Sequence, residues 1–505
     1  MQRIHRKQIN LYFMVALILI LGGAILRGVD LTDPPLDFHA WRQLRSASIA
    51  RAIYYEYSPD VDPLLREQAM QLGRFGELEP TIFEHIIAFS YQGVGQELLW
   101  IARIYAALFW IFGGIGLFLL VRRLNLQSGA LVSVAYFLFL PFAVIVSRSF
   151  LPDVLMTSIF IWALYALLRW IESDKWIWSL SAGVISGIAV LVKVFAVYPV
   201  ALTAILLVLT KKGWKRAFLN PQVWVSAAIM TAIPGFYYLV LMQGSASVYL
   251  QGWVFSFSNL LLDPWFYIRW AAALQRTVLL PFVLFSFSGL FLTRGLPRVL
   301  LIGIWLGYLF IGISVPSVII SHDYYHTILV PIVAISLAPL ADLVVRRLAR
   351  AGHFVRYGTI VAAMATIAIS SWVSIDKLLE KDYRREIKGW IQMGEEIPQE
   401  SRLIGLTHDY NTRLRYYGWT NVTQWRHLTD FEMVALMDDD HSVEEIEIVA
   451  EFNRQITEYD YFIVTLRGEL EKQPQIQDIL FSTYDYFEGK GYILFDLHSA
   501  QDLLN

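Results

Sequence analysis

The sequence predicts an α-helical membrane domain over residues 1–375 and a soluble α/β domain over residues 376–505. Of the 505 residues, 56% are hydrophobic and 17% are charged, whereas soluble globular proteins carry about 25% charged residues. Residues 376–505 contain 26 acidic and 13 basic residues, and residues 1–375 contain 17 acidic and 28 basic residues. The two parts therefore carry net charges of −13 and +11, which the overall charge of −2 hides.

Long apolar segments occur throughout the first part. A helix needs about 20 apolar residues to cross a bilayer. The first segment is too long for a signal peptide and lacks a convincing cleavage site, so an uncleaved helix is expected. Eleven segments predict about eleven transmembrane helices: 9–28, 99–120, 128–147, 153–171, 176–192, 194–210, 222–243, 277–293, 299–320, 326–345 and 357–374.

Basic residues alternate between the loops in a way that predicts the topology. Nearly all basic clusters fall in the loops 122–123, 169–175, 211–216, 294–298 and 346–356. By the positive-inside rule these loops are cytoplasmic. The sequence therefore predicts an integral protein of the cell or inner membrane, with a cytoplasmic N-terminus and an extracytoplasmic C-terminal domain. The outer loop 29–98 contains amphipathic runs at 41–57 and 80–92 that predict interfacial helices, and the outer loop 244–276 is rich in aromatic residues.

The C-terminal part alternates between helical and strand patterns. Helices are expected over 376–397 and 443–456, and strands over 402–407, 461–465 and 491–497. This part contains no metal motif, Gly-rich phosphate loop or nucleophile elbow. The chain has no Cys, which excludes disulfides, Cys-based zinc sites and thiol chemistry.

The first polar clusters lie in outer loop 29–98. Asp37 and His39 are two residues apart, with Arg42 following. A carboxylate beside an imidazole can act as a general base or share a metal ion, and the alternative is an ordinary interfacial loop. Glu79 precedes Pro80, and Pro80 suits the first turn of a helix. Glu79 would then stabilise a helix N-terminus, which explains its position without any function.

Three further outer turns carry polar residues. Arg148 and Asp153 flank one turn, Lys193 lies in the next, and His322, Tyr324 and Tyr325 lie in the last. Asp153 could cap a helix, Lys193 could snorkel to the interface, and the tyrosines could belong to an aromatic belt. All these clusters nevertheless share the outer face. The sequence therefore predicts an outward-facing polar site in which cations suit a phosphate-bearing lipid and an acid suits activation of a hydroxyl.

The order of these residues resembles the landmarks of the GT-C fold glycosyltransferases. The resemblance rests on Asp37-x-His39-x-Trp41-Arg42-Gln43, then Glu79-Pro80, Ser147-Arg148 with Pro152-Asp153, Lys193, and His322-x-Tyr324-Tyr325 before Pro331. It covers residues 1–345 and is strongest for bacterial relatives of dolichyl-phosphate-mannose-protein mannosyltransferases and of lipid A aminoarabinose transferases. The first motif of the family is often two adjacent acids, so Asp37-x-His39 leaves the donor sugar open.

The resemblance implies inverting transfer of a sugar from a polyprenyl-phosphate donor to a glycan, lipid or protein hydroxyl on the outer face of the membrane. By resemblance Asp37 is the general base, and Arg148 and Lys193 bind the lipid phosphate. The sugar or acceptor would be oriented by His39, Arg42, Glu79, Asp153, His322, Tyr324 and Tyr325. Many relatives need no metal, so no cofactor is predicted, although a divalent metal ion is compatible with the family. Membrane lipids are expected partners and nucleic acids are not.

Two other classes of function compete with this interpretation. A transporter would explain the many helices, but transporters commonly show repeated halves with broken helices at the membrane midplane, and this sequence shows no duplication. A non-catalytic envelope assembly or sensor protein would explain the outer domain, but not the acid and cations clustered in the membrane part. Consumption of a polyprenyl-phosphate sugar by the purified protein would distinguish these classes.

Overall fold

The computed structural model describes residues 2–76, 79–242, 257–398, 400–435 and 445–499. The chain forms two compact units. The first comprises Met1–Leu31, Gly76–Phe83 and Trp100–Glu380, and the second comprises Thr32–Phe75, Glu84–Leu99 and Lys381–Asn505. The second unit therefore combines segments near the N-terminus with the C-terminal part of the chain.

The described residues up to 380 are almost entirely helical. Short 3-10 segments at Val194–Ala196, Ser258–Leu262 and Asp323–His326 and a π-helical segment at Phe236–Leu241 lie between the helices. The helices are α1 Gln2–Arg27, α2 Ala40–Tyr57, α3 Pro63–Leu72, α4 Ile82–Val94, α5 Trp100–Arg123, α6 Gln127–Phe139, α7 Pro141–Val146, α8 Pro152–Ser173, α9 Trp176–Val192, α10 Val197–Lys212, α11 Trp214–Leu219, α12 Pro221–Gly235, α13 Pro264–Thr277, α14 Leu280–Ser286, α15 Ser288–Leu292, α16 Leu296–Ser314, α17 Pro316–Ser321, α18 Leu329–Leu348 and α19 His353–Leu379.

Seven helical segments of the described chain are long and apolar enough to cross a membrane. They are Trp100–Arg123, Pro152–Ser173, Val194–Lys212, Pro221–Leu241, Leu296–Ser314, Asp323–Leu348 and His353–Glu396. A bent pair, Pro264–Thr277 and Leu280–Leu292, would make an eighth. The chain is thus an integral membrane protein, as predicted, but the predicted count of eleven helices is not confirmed.

Prolines account for two of the differences from the predicted helices. The predicted helix 128–147 is divided into α6 and α7, because Pro141 begins a new helix after Leu140 adopts an extended backbone. The predicted helix 277–293 is wrong as a continuous span. Its residues form a bent pair with an angle of 96°, and the bend lies at Leu279, whose φ is 63°, two residues before Pro281. A proline cannot continue the hydrogen-bond ladder of a preceding helix.

Two glycines of α16 allow other helices of the first unit to pack closely against it. Gly307 on α16 lies against Pro199 on α10, and a Cβ at Gly307 would lie 2.1 Å from the Pro199 Cα. Small residues allow such close approach between membrane helices. Gly312, also on α16, lies under the Trp270 ring, where an added Cβ would be 2.1 Å from Cη2.

The C-terminal part of the second unit contains a five-stranded mixed sheet with helices. The order of the strands is β2-β1-β3-β5-β4. Strand β1 pairs in parallel with β2 and β3, and β5 pairs antiparallel with β3 and β4. The elements are α20 Arg384–Glu396, β1 Leu403–Leu406, α21 Thr412–Tyr417, β2 Val422–Gln424, α22 Leu428–Ala435, α23 Glu445–Ile456, β3 Tyr461–Val464, α24 Arg467–Leu470, α25 Pro474–Thr483, β4 Asp485–Gly489 and β5 Tyr492–Asp496.

Side chains of the central strands alternate between two buried clusters. Ile404 and Phe462 belong to a cluster around Trp425, whereas Leu403 and Ile463 belong to a cluster around Trp390. Successive residues of a strand point to opposite faces, so both faces of the sheet are covered. This double burial explains why β1 and β3 are continuous apolar runs in the sequence.

The predicted strands at 402–407, 461–465 and 491–497 coincide with β1, β3 and β5. The predicted helix 376–397 is instead divided between the end of α19 and α20, and the predicted helix 443–456 is described from Glu445 onward. The amphipathic runs 41–57 and 80–92 form α2 and most of α4. Of the aromatic loop 244–276, residues 244–256 lie outside the described residues, and the remainder forms a 3-10 segment and α13.

Candidate functional site

An ion pair buried in the first unit joins two of the predicted site residues. The Lys193 Nζ lies 2.6 Å from the Asp153 Oδ1, and the two side chains are 7% and 1% exposed. The second carboxylate oxygen of Asp153 is also buried and has no hydrogen-bond partner among the described residues. Ionisable groups at such positions in membrane proteins are costly unless they pair, and they commonly mark functional sites.

Local sequence explains how each member of this pair is placed. Pro152 starts α8 and puts Asp153 in its first turn, but the cap residue is Leu151 and no side chain caps the helix. Lys193 has an extended backbone between α9 and the 3-10 segment Val194–Ala196. Its amine is enclosed with Asp153. The geometry therefore supports neither simple helix capping by Asp153 nor snorkelling by Lys193.

Two tyrosines from the predicted third turn enclose the Lys193 amine. The Nζ lies 4.9 Å from the Tyr324 ring centroid and 4.6 Å from the Tyr325 ring centroid. Both rings are buried. The half-buried His322 ring packs edge-on against Tyr324, with 5.4 Å between the ring centroids. Cation–π contacts of this kind contribute about 2 kcal/mol when they are desolvated. The structure thus brings together five of the predicted residues, and we call Asp153, Lys193, His322, Tyr324 and Tyr325 the acid–lysine–tyrosine cluster.

A chain of hydrogen bonds supports the turn that carries these tyrosines. The Ile319 carbonyl can only accept, so the His326 Nε2, at 2.9 Å, donates to it. The Nδ1 of His326 therefore accepts from the Tyr308 hydroxyl at 2.7 Å, and the Trp270 Nε1 donates to that hydroxyl at 3.0 Å. Each member is buried. The sequence pointed to His322 in this turn, whereas it gave no sign that His326 fixes the backbone.

Arg148 and a second arginine lie near the turn before α8. The Arg148 Nη2 donates to the Asp30 carbonyl at 2.8 Å, and its side chain is buried. The preceding Ser147 accepts a hydrogen bond from the Arg27 Nε at 2.7 Å. Arg27 also donates to the carbonyls of Gly23 and Leu138. Sequence reasoning missed this buried arginine because it ends the first apolar segment, where a basic residue looks like a topology signal.

Glu79 lies in the first unit, outside any helix. It is half-buried, and α4 begins at Ile82 rather than at Pro80. We expected the helix to begin at Pro80, directly after Glu79. The helix begins two residues later, so this expectation is wrong.

The remaining predicted residues, Asp37, His39 and Arg42, lie in the second unit. His39 precedes α2 with a left-handed backbone (φ 43°), and its ring lies 4.6 Å from Phe38. Asp37 is half-buried and interacts electrostatically with Tyr383. Arg42 is buried, with its guanidinium 5.3 Å from the Trp41 ring centroid. This segment is therefore an ordered turn at the start of a helix.

A buried arginine that the sequence did not single out connects α2 to α21 within the second unit. The Arg51 Nε lies 2.9 Å from Glu97, its Nη1 donates to the Tyr416 carbonyl at 2.6 Å, and its guanidinium lies 3.8 Å from the Tyr416 ring centroid. Burial acts to lower the pKa of Arg51, but Tyr416 and Glu97 raise it above its ordinary value. Arg51 therefore stays charged and holds these segments together.

The described residues contain no group of three or more His, Asp or Glu side chains arranged to hold a metal ion.

Comparison with known proteins identifies the fold. Residues 79–238 match the family described as dolichyl-phosphate-mannose-protein mannosyltransferase. ArnT of Cupriavidus metallidurans, solved with undecaprenyl phosphate, aligns with a TM-score of 0.57 and 13% identity over 97% of this chain and 98% of that chain. The oligosaccharyltransferase AglB of Archaeoglobus fulgidus, solved with an inhibitory peptide and a dolichol-phosphate, aligns with a TM-score of 0.60 and 11% identity over 95% of this chain and 74% of that chain. The chain has the GT-C fold.

The resemblance predicted from the ordered motifs is thereby confirmed at the level of the fold. The family match covers about a third of the chain and includes Glu79, Arg148, Asp153 and Lys193. No curated protein sequence matches the chain.

Proposed function

We propose that this protein is a glycosyltransferase that moves a sugar from a polyprenyl-phosphate donor to an acceptor hydroxyl. The observation that supports this most directly is the acid–lysine–tyrosine cluster, in which a buried cation is held by an acid and two aromatic rings. Such a cluster is costly to build in a membrane protein. A GT-C fold and a family match that includes Asp153 and Lys193 agree with a role in binding an anionic lipid donor.

The proposed reaction assigns a role to each predicted residue. Asp37 takes the proton of the acceptor hydroxyl, whose oxygen forms a bond to the anomeric carbon. The bond from that carbon to the phosphate oxygen breaks, and polyprenyl phosphate leaves with the electron pair and with inversion at carbon. Lys193 and Arg148 stabilise the charge that develops on the phosphate.

The remaining residues orient the substrates in this proposal. His39, Arg42, Glu79, His322, Tyr324 and Tyr325 contact the sugar or the acceptor. Asp153 holds the Lys193 amine at a fixed point, as its 2.6 Å contact suggests. An amine held in this way loses little freedom when a phosphate binds, which is how a preorganised site lowers the cost of binding.

We further propose that residues 1–375 form the transmembrane domain and residues 376–505 an extracytoplasmic domain, with the N-terminus in the cytoplasm. The alternation of basic loops supports this arrangement. Reporter fusions after Lys215 should then read as cytoplasmic, and fusions at Ser401 as extracytoplasmic. A cytoplasmic signal at Ser401 would contradict the proposed outer-face reaction.

The decisive experiment is a transfer assay on the purified full-length protein. A panel of radiolabelled polyprenyl-phosphate sugars is offered with a crude envelope extract as the source of glycan, lipid and protein acceptors. We expect label to leave the lipid for one class of acceptor with wild type, and not with Asp37→Asn. If no donor is consumed but donor lipid is moved across a proteoliposome membrane, the transporter alternative is correct. If neither occurs and envelope proteins co-purify, the assembly alternative gains support.

A further inference from the structure

An apolar crevice opens at the opposite end of α10 from the acid–lysine–tyrosine cluster. It has a volume of about 340 Å³ and is formed by residues of α8, α9, α10, α11 and α12. Alanines on three of these helices, Ala182, Ala204 and Ala227, line it. The crevice exists because small side chains stand where larger ones would fill the space between the helices.

The dimensions of the crevice suit a hydrocarbon chain. Its lining on α10 runs from Ala201 to Leu209, which is about 12 Å at 1.5 Å per residue. One leaflet of a bilayer has a hydrocarbon thickness of about 15 Å. An acyl chain that enters from the end near Lys212 would therefore remain in the crevice for most of its length.

Aromatic residues at the mouth of the crevice place it at a membrane interface. Trp214 is 75% exposed and Trp224 is 55% exposed, and both line the crevice. The Trp224 Nε1 donates to the Phe218 carbonyl at 2.7 Å, and the two rings lie 5.4 Å apart. Exposed tryptophans of this kind are enriched where hydrocarbon gives way to head groups.

Cations surround the same mouth. Lys211, Lys215 and Arg216 are exposed on the last turn of α10 and on α11. Asp174 pairs with Lys212 beside these cations, and Glu172, two residues before Asp174, pairs with Arg123. Clustered basic residues at an interface attract anionic head groups. The apolar lining and the charged mouth thus fit the two parts of one amphiphilic molecule.

We infer that this crevice binds one anionic glycerophospholipid, with an acyl chain between α9, α10 and α12 and its phosphate at Lys211, Lys215 and Arg216. This site goes beyond the proposed function. The basic mouth of the crevice and Lys193 lie at opposite ends of α10, whose 16 residues span about 24 Å, so the lipid phosphate would bind far from the donor phosphate. A lipid held there would act as a structural ligand for helices α8 to α12.

Lipid competition on the purified full-length protein tests this inference. The protein is equilibrated with equal concentrations of dioleoyl phosphatidylglycerol and dioleoyl phosphatidylcholine in detergent, and bound lipid is counted by native mass spectrometry. We expect wild type to retain one phosphatidylglycerol. Each Lys or Arg near an anionic head group changes affinity about fivefold. The Lys215→Gln/Arg216→Gln variant should therefore bind phosphatidylglycerol about 25-fold more weakly.

Two further variants separate this site from general surface charge. Arg347→Gln/Arg350→Gln removes the same charge from another basic loop and should not change retention. Ala204→Phe fills the crevice and should lose the lipid, with thermal unfolding used to confirm that it folds. The inference is overturned if both lipids are retained equally, if the control variant loses as much affinity, or if Ala204→Phe binds normally. It is also overturned if polyprenyl phosphate displaces phosphatidylglycerol, because the crevice would then belong to the donor site.

Discussion

The pairing of Lys193 with Asp153 makes a quantitative prediction about the first unit. Removing one partner of a buried ion pair leaves an uncompensated charge and costs about 3–5 kcal/mol. Lys193→Met keeps the length of the side chain, removes the charge, and also removes the cation over Tyr324 and Tyr325. We therefore expect Lys193→Met to lower the free energy of unfolding by about 3–5 kcal/mol, which is a factor of about 10²–10⁴ in the folding equilibrium.

The double variant separates this cost from a loss of function. Replacing both members of a buried pair by apolar side chains of similar volume is commonly neutral or stabilising, and Asn at position 153, although polar, removes the uncompensated carboxylate charge. Lys193→Met/Asp153→Asn should thus recover most of the lost stability. Its transfer activity should remain low, because the proposed phosphate contact is still absent. Thermal unfolding in detergent and release of polyprenyl phosphate from the donor measure the two properties on the same preparations.

An exposed ion pair of the same unit provides the control. Arg123 and Glu172 form a salt bridge with side chains 41% and 27% exposed, and such pairs contribute about 0–1 kcal/mol. Arg123→Met should therefore have little effect on unfolding or turnover. The reasoning fails if Lys193→Met is as stable as the double variant, since the carboxylate would then have another partner. It also fails if the double variant keeps normal turnover, since Lys193 would then serve the fold alone.

Three further predictions follow from single residues. Asp37→Asn should reduce turnover about 10²–10⁴-fold, because a positioned general base contributes about that factor, while donor binding survives. Single-turnover rates measure the first effect and donor affinity measures the second. Gly312→Ala should destabilise the first unit by about 1–3 kcal/mol, because the added Cβ would lie 2.1 Å from the Trp270 ring. The control is Gly358→Ala, whose Cβ would have nothing within 4 Å and should not destabilise the unit. Thermal unfolding measures both variants. Burial lowers the pKa of His408 below 6.5, so the folded state binds its proton at lower pH than the unfolded chain does. Its contribution to stability is complete above pH 6.5 and is lost as the pH falls through the lowered pKa; unfolding scans between pH 7.5 and 5 should show a smaller pH dependence for His408→Gln.

The hydrophobicity of the sequence predicted the positions of helices well. It was a poorer guide to which helices could span a membrane. Segment 128–147 is apolar over its whole length, yet Pro141 divides it. Segment 277–293 contains Pro281, and a single left-handed residue at Leu279 turns it into a bent pair. The hydrophobicity averaged over a segment does not reveal such breaks. The bend depends on a single backbone angle, and tertiary packing selects that angle. The strands β1 and β3 were predictable because both of their faces are buried, which leaves an unbroken apolar run.

The structure brings together five residues that the sequence singled out, but the sequence did not predict the contacts between them. Lys193 and Asp153 are 40 residues apart, and each had a sufficient local explanation, as a snorkelling lysine and as a helix cap. No periodicity connects them. Their contact depends on how α8 packs against α9. Small residues that allow helices to approach, such as Gly183 of α9 against Ser226 of α12, look in the sequence like any other glycine in an apolar segment. The same reason hid Arg51, whose partners Glu97 and Tyr416 are remote in the chain.

The buried pair also changes how the lipid phosphate would be recognised. A lone lysine would offer a full positive charge, whereas the Lys193 amine is already balanced by the Asp153 carboxylate at 2.6 Å. The net attraction of the pair for a phosphate would then be small, because repulsion by the carboxylate offsets most of the attraction by the amine. Binding at such a pair would depend on direction more than on net charge, because the phosphate would have to meet the amine rather than the carboxylate. Arg at position 193 would keep the charge, but its planar guanidinium favours bidentate pairing with Asp153. Lys193→Arg should therefore preserve stability better than Lys193→Met and yet restore donor use only in part.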